Sequence, residues 1–331
     1  MQLFIGLIRN LLRAFFRNIG KIFFVLFLSI LFIFFLFPLN ELSDLASQNI
    51  SKLTQNQFHV EFETLKLNLF SDFGIQLGNI YFETPHTSPQ TITELLALPS
   101  FSSILYKKPQ GRMKLKGLLK GDVEIEITKH KEDNSSEKKI ERHLISVEAA
   151  RMDLKELKRF LFLPVNFSGR LDLSSKIIAN LEIQEPPEIQ ELLLNIKNFE
   201  LAQTTMEQPG GIPIDIPGIK LSEVIIKGRF SDNKLLISEM KIGKDSDEVL
   251  GTLNGNVNFT SIGRNNAFPM VNKYDINLDL KMKKSFYDKI YLTLSVFNAG
   301  PFFRPISGGF QFKTKISGAG PYTIPRFDAY K

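Results

Sequence analysis

Residues 219–242 read IKLSEVIIKGRFSDNKLLISEMKI. Val224 and Ile226 before Asp232-Asn233, and Leu235 and Ile237 after it, recur at a spacing of two. The spacing puts each pair on one face of an extended strand. Asp and Asn tolerate the left-handed backbone that a two-residue hairpin turn demands. The stretch is therefore read as strand–turn–strand, over Ile219–Phe230 and Lys234–Ile242.

The same pattern continues in both directions. Strands are expected at Phe167–Leu173, Ile177–Ile183, Leu192–Phe199, Val249–Phe259, Tyr274–Met282 and Gly309–Ile316, with a Gly/Pro-rich loop at Met206–Pro217. Towards the N-terminus, Phe58, Val60 and Phe62 alternate with His59, Glu61 and Glu63. Leu65, Leu67 and Leu69 then repeat the period after a slip at Thr64–Leu65, which suggests a bulge or break. Ser71–Gly74 reads as a turn, and Ile75, Leu77, Ile80 and Phe82 as the next strand or pair. Arg112, Lys114 and Lys116 oppose Asp122, Glu124 and Glu126 across another turn, so charges of opposite sign face each other on the wet side of a hairpin. Leu144–Val147 reads as a further strand. Helices are expected at Thr91–Leu98, stopped by Pro99, and at Asp153–Phe162, stopped by Pro164. Pro85–Pro89 reads as a connector and Lys129–Lys139 as a charged loop. The fold class is mainly β: a long antiparallel meander, apolar on one face, with a few short helices. Such a face must be covered by another sheet, by helices, by lipid or by a partner, and a sheet curled around its own apolar face is the economical solution.

Ahead of this domain, Ile22–Phe37 reads IFFVLFLSILFIFFLF, uncharged and ended by Pro38. As a helix this run rises roughly 24 Å, and its neighbours extend it towards a bilayer core of roughly 30 Å. Arg9, Arg13, Arg17 and Lys21 precede it, and no acid occurs before Glu41. The bias places the N-terminus in the cytoplasm and everything beyond residue 40 across the membrane. No small-x-small cleavage site follows directly, so the segment reads as an uncleaved signal-anchor. The expected organisation is 1–39 as basic segment and single-pass transmembrane anchor, 40–57 as a juxtamembrane helix, and 58–164 and 165–331 as two parts of one periplasmic β-domain.

Composition narrows the chemistry. Beyond residue 40 there are 37 basic residues against 35 acidic ones, without the basic block that a nucleic-acid groove needs. The chain has no Cys, which excludes disulfides, thiolate nucleophiles and Cys-ligated metals. His59, His86, His130 and His143 fall in no HExxH or HxH arrangement, and His59 falls on the polar face of its strand. There is no GxSxG, phosphate loop or Asp-rich metal loop. The paired glycines Gly210-Gly211 and Gly308-Gly309 read as turns. No catalytic, cofactor or metal residue is assigned, and a non-enzymatic role is expected.

The C-terminal half carries an ordered set of short motifs. Phe167–Leu173 (FSGRLDL) opens it, followed by Gly210–Pro213 with Pro217–Leu221. Val224–Phe230 and Lys234–Ile237 form a unit closed by Lys241–Ser246. Leu250–Val257 (LGTLNGNV), Ile306–Lys313, Ile316–Gly318 and Pro325–Phe327 complete it. In this order they resemble the N component of the type II secretion system, in the variety of spirochaetes and predatory proteobacteria. The likeness is closest from about 165 to 328, and more distantly extends to the curled periplasmic AsmA-like sheets that carry lipid between membranes. The resemblance implies an inner-membrane protein with a periplasmic domain, accessory to protein export and partnered by other secretion components. An alternative reading makes the face of Val224, Ile226, Leu235, Ile237, Leu253 and Val257 a groove for phospholipid. Phe302, Phe303, Tyr322 and Phe327, in Gly/Pro-rich segments, are candidates either for an exposed docking edge or for a plug at the open end of the sheet.

Overall fold

The computed structural model describes residues 19–36, 42–54, 59–68, 73–84, 87–106, 108–130, 142–160, 166–181, 187–207, 213–262, 268–295, 300–320 and 325–329. The first strands are β1 (His59–Asn68), β2 (Gly74–Thr84), β3 (Thr87–Pro99), β4 (Gly111–Leu118), β5 (Gly121–Lys129) and β6 (His143–Asp153). They continue as β7 (Phe167–Ala179), β8 (Glu188–Leu201), β9 (Thr204–Glu207), β10 (Pro213–Ile216), β11 (Ile219–Ser231) and β12 (Lys234–Ile242). The last are β13 (Val249–Ile262), β14 (Phe268–Lys283), β15 (Phe303–Ile306), β16 (Gly309–Gly318) and β17 (Arg326–Asp328). Fifteen of these make one antiparallel sheet that does not close on itself. Its order is sequential from β1 to β8, then β11 to β14, then β16, with β15 and β17 both paired to the outer side of β16. β9 and β10 form a separate hairpin.

The β11–β12 hairpin forms as its sequence requires. Asp232 and Asn233 both take positive φ, 52° and 57°, which matches the twist of the two strands they join. Cross-strand pairing then carries the apolar face through the whole sheet. One row runs Leu65, Leu77, Leu95, Leu115, Val123, Ala149, Leu173, Leu194, Ile226, Met240, Leu253, Leu278 and Thr314, one residue from each of thirteen strands. At about 4.8 Å per strand it is about 58 Å long. The opposite face is laced by ion pairs such as Lys116–Glu94 (2.8 Å), Arg112–Glu124 (3.1 Å), Lys197–Asp172 (3.0 Å) and Lys227–Glu239 (3.0 Å). Each exposed pair contributes about 0–1 kcal/mol, so the ladder fixes register more than it adds stability.

Among the described residues five α-helices accompany the sheet: α1 (Ile19–Leu36), α2 (Leu42–Leu53), α3 (Phe101–Tyr106), α4 (Leu154–Phe160) and α5 (Lys284–Ser295). α2 packs back against β1, with Ala46 on the first core cluster. α4 places Leu154 and Leu157 on the same cluster, beside Leu115, Val123, Ala149 and Leu171. α5 caps the second cluster, where Phe286 meets Val224, Val249, Met282 and Phe312. α1 is 18 residues long, about 27 Å, with Phe23, Phe24, Val25, Leu26, Phe27 and Phe32 all exposed. Among the described residues no helix is long and apolar enough to cross a membrane. The basic segment up to residue 18, expected to be cytoplasmic, and the end of the expected span at 37–39 lie outside the described residues.

Several local expectations change. Thr91–Leu98 is not a helix but the body of β3, paired on both sides, to Ile75–Tyr81 of β2 and to Arg112–Lys116 of β4. Leu95 completes the long apolar row, and that tertiary pairing overrides the local helical pattern. β3 begins at Thr87, so Pro89 belongs to the strand rather than to a connector. Ile177–Ile183 is no separate strand, because β7 runs unbroken from Phe167 to Ala179. The loop expected at Met206–Pro217 contains part of the β9–β10 hairpin, and α5 follows β14 directly where no helix was read. The phase slip near Thr64 is present without an offset in register: Asn79, bonded through its side chain to Glu63 (2.7 Å), takes φ 49°. Most of the charged loop, residues 131–141, lies outside the described residues.

The β12–β13 connection is fastened by Asp247. Its carboxylate accepts the Ser222 N–H (2.8 Å), the Ser222 hydroxyl (2.6 Å) and the Lys244 N–H (2.9 Å). Gly243 turns the chain at φ 73°, where a Cβ would meet the Val249 carbonyl oxygen at 2.1 Å. Burial pushes the Asp247 pKa upward, but the hydrogen bonds from Ser222 and Lys244 outweigh it and hold it below the ordinary value. A depressed folded pKa stabilises above the unfolded value of about 3.9, and the gain disappears as pH falls through the folded value. Asp247→Asn is expected to cost about 1–2 kcal/mol at neutral pH and to flatten the loss of stability below about pH 4. Urea unfolding of the protein and the variant at neutral pH and below about pH 4 checks this.

Candidate functional site

The apolar face divides along the strands into a covered end and a half-open remainder. At the covered end, α4 and α5 leave Leu154 at 4 % exposure and Phe286 and Phe312 at 2 %. Further along the same strands, the row Met113, Ile125, Val147 and Leu192 is half-buried, and so are Ile127, Ile145, Ile177 and Ile189 in the next row. Each strand makes its main contacts with its sheet neighbours, and α2, α4 and α5 sit near their own strands. Among the described residues no second layer packs on this part of the face, which is half-buried rather than open to water.

The six residues expected to share a face do share it. Val224 is buried in the second cluster, at 4 % exposure, between Ile196 and Ile242. Ile226 and Leu253 both lie in the long row, Ile237 opposes Gly228 and Gly255, and Leu235 is paired directly to Val257. Those five are half-buried. The face offers almost no polar group. Ser175 lies in it, between Val147 and Leu192, with its hydroxyl buried and unpartnered. His143 is also buried on this face at 1 % exposure, with neither ring nitrogen bonded. Sequence reasoning missed His143. Its only signal was an even spacing from Ile145, Val147 and Ala149, which places it on the apolar side of β6.

The other face contains a hollow of about 540 Å³ bordered by Lys114, Lys116, Asp122, Glu124, Glu148 and Asp172. Cations and carboxylates interleave there and neutralise one another. The Asp172 carboxyl is held below its usual pKa by the Arg151 N–H (2.8 Å) and then by Lys197. The border itself holds two cations and four carboxylates, and Arg151 on Asp122 with Lys197 on Asp172 brings the count to four of each. Among the described residues no cluster of three or more His, Asp or Glu is placed to hold a metal ion. His59 is exposed beside Glu61 (2.9 Å), His130 ends β5 and bonds Arg142 through its backbone, and His86 lies outside the described residues.

The candidate docking aromatics pack inward. Phe302, Phe303 and Phe327 join the second core cluster, with Phe303 4.7 Å and Phe327 6.2 Å from the Phe312 ring. They plug the end of the sheet, as the second of the two expectations held. Tyr322 lies outside the described residues.

Together these features define a class: a mainly β chain whose described residues form one open antiparallel meander with a broad half-buried apolar face. No family model matches the chain, and neither a curated protein nor a solved structure matches it. The covered and half-open regions differ in energetic weight. Phe286→Ala is expected to cost about 3–5 kcal/mol, whereas Ile237→Ala and Val257→Ala each cost below about 1.5 kcal/mol. Equal losses in urea unfolding would mean that the whole face is closed.

Proposed function

We propose that this chain is a non-catalytic accessory component of a type II protein secretion system, held in the inner membrane by α1 with its sheet in the periplasm. The observation that carries the reading is the order of the motifs that resemble the N component. They fall on β7, on the paired β11 and β12, on β13, and on β16 with β17, all within one continuous sheet. α1 supports the anchor, because its large apolar side chains are exposed on a helix preceded by four basic residues and no acid. Residues 37–39 (Phe-Pro-Leu) extend its apolar run towards the thickness of a bilayer core. The sheet curls about its apolar face, and its β1 edge is the surface offered to other secretion components.

One observation favours a second reading. The half-buried rows run without a charge across the sheet, which suits acyl chains, so the same face can serve as a phospholipid groove. The two readings separate on purification from the native membrane in mild detergent followed by mass spectrometry. Stoichiometric secretion-system proteins with no enriched lipid support the accessory role. One or more phospholipids per chain, with no secretion protein, overturn it in favour of the groove.

A further inference from the structure

The connection between β3 and β4 is built inside out. Its polar side chains face the protein: the Ser103 N–H donates to Ser100 Oγ (3.1 Å), Ser100 and Ser102 share a hydrogen bond (2.9 Å), and Ser102 donates to Gln110 Oε1 (3.1 Å). The Ser103 hydroxyl in turn donates to the Lys108 carbonyl. Its apolar side chains face outward: on α3, Phe101 is 82 % exposed, Tyr106 67 %, Leu105 61 % and Ile104 50 %. The start of β2 adds to the patch. Phe73 and Ile75 are exposed there, and Ile75 pairs with Ala97, two residues before the end of β3. Leaving four such side chains exposed to water has no folding rationale, since the hydrogen-bonded serines already hold the loop.

The chain path indicates what covers the patch. α2 starts at most about 18 Å of linker from the end of α1, runs about 18 Å along β1, and is joined to β1 by residues 55–58. β1 therefore returns towards the α1 side, and the β1–β2 and β3–β4 connections lie at the end to which it returns. The patch has the make-up of an interfacial anchor, with Phe, Ile and Leu for the acyl boundary and Tyr106 at its edge. The chain continues Lys107-Lys108, which suits anionic headgroups.

We infer that α3, together with Phe73 and Ile75 at the start of β2, inserts into the leaflet of the same bilayer that holds α1, giving the sheet a second attachment and fixing its tilt. This rests on the membrane-anchored reading above. The chain contains no Trp, so Phe101→Trp supplies a single reporter at a fully exposed position, and Asp245→Trp supplies a control in the exposed turn after β12, at the opposite end of the strands. The full chain is reconstituted in phosphatidylethanolamine/phosphatidylglycerol vesicles with or without brominated acyl chains. The expected result is blue-shifted emission from Phe101→Trp, quenched at least about twofold by the brominated lipid, with red-shifted and unquenched emission from Asp245→Trp. Phe101→Trp emission matching the control, in protein that resists alkaline carbonate extraction, overturns the insertion and leaves the anchor standing. Blue-shifted emission that brominated lipid does not quench also overturns it, because a second copy or another protein then covers the patch. Release of the whole chain by carbonate overturns both readings.

Discussion

Everything in this molecule follows from one constraint: an antiparallel sheet whose strands alternate apolar and charged side chains has a face that water will not solvate. Register makes the constraint severe. A slip of one residue at any strand would carry Leu115, Val123 or Leu194 to the charged side and place Lys or Glu against α4 or α5. The ion pairs of the wet face oppose the same slip from the other side. The chain satisfies the constraint in two ways, with short helices at one end of the strands and with a half-buried expanse elsewhere.

The helices show how little cover is available. α4 and α5 arrive immediately after β6 and β14, from the same end of the sheet, and each seals its own cluster with a few large side chains. Between and beyond them, Ile226, Ile237, Leu253 and Val257 keep part of their surface. The buried hydroxyl of Ser175 and the buried ring of His143 are unpartnered polar groups on that face, whereas the Thr314 hydroxyl donates to the Asp328 carbonyl. Ser175 sits between Val147 and Leu192, and an unpartnered buried hydroxyl there costs stability rather than adding it.

Most of the sheet was legible because its signal is a strict period of two. The β11–β12 hairpin, the opposed charges of β4 and β5, and the strands around Leu253 and Leu278 could be read from spacing alone. The misreadings share a cause. At Thr91–Leu98 the residues suit a helix locally, and only pairing with β2 and β4 decides otherwise. α5 was hidden because Lys284–Ser295 mixes aromatic and charged residues without a clean stripe. The six face residues were found, but not that Val224 is buried while its companions are half-buried, since burial depends on where α5 comes to rest. Nothing in the order of residues 100–110 announced that serines would turn inward and aromatics outward.

The sequential order of the strands has a kinetic consequence. Almost every strand pairs with the one made just before it, so a chain emerging N-terminus first needs no distant segment to begin folding. β1 meets α2, β2 meets β1, and each new hairpin lays its apolar side chains beside a row already in place, much as modules stack in a linear repeat. Growth stops at β16, whose outer side is occupied by the three-residue β17 and the four-residue β15. Two short strands there end the ladder before another chain can extend it.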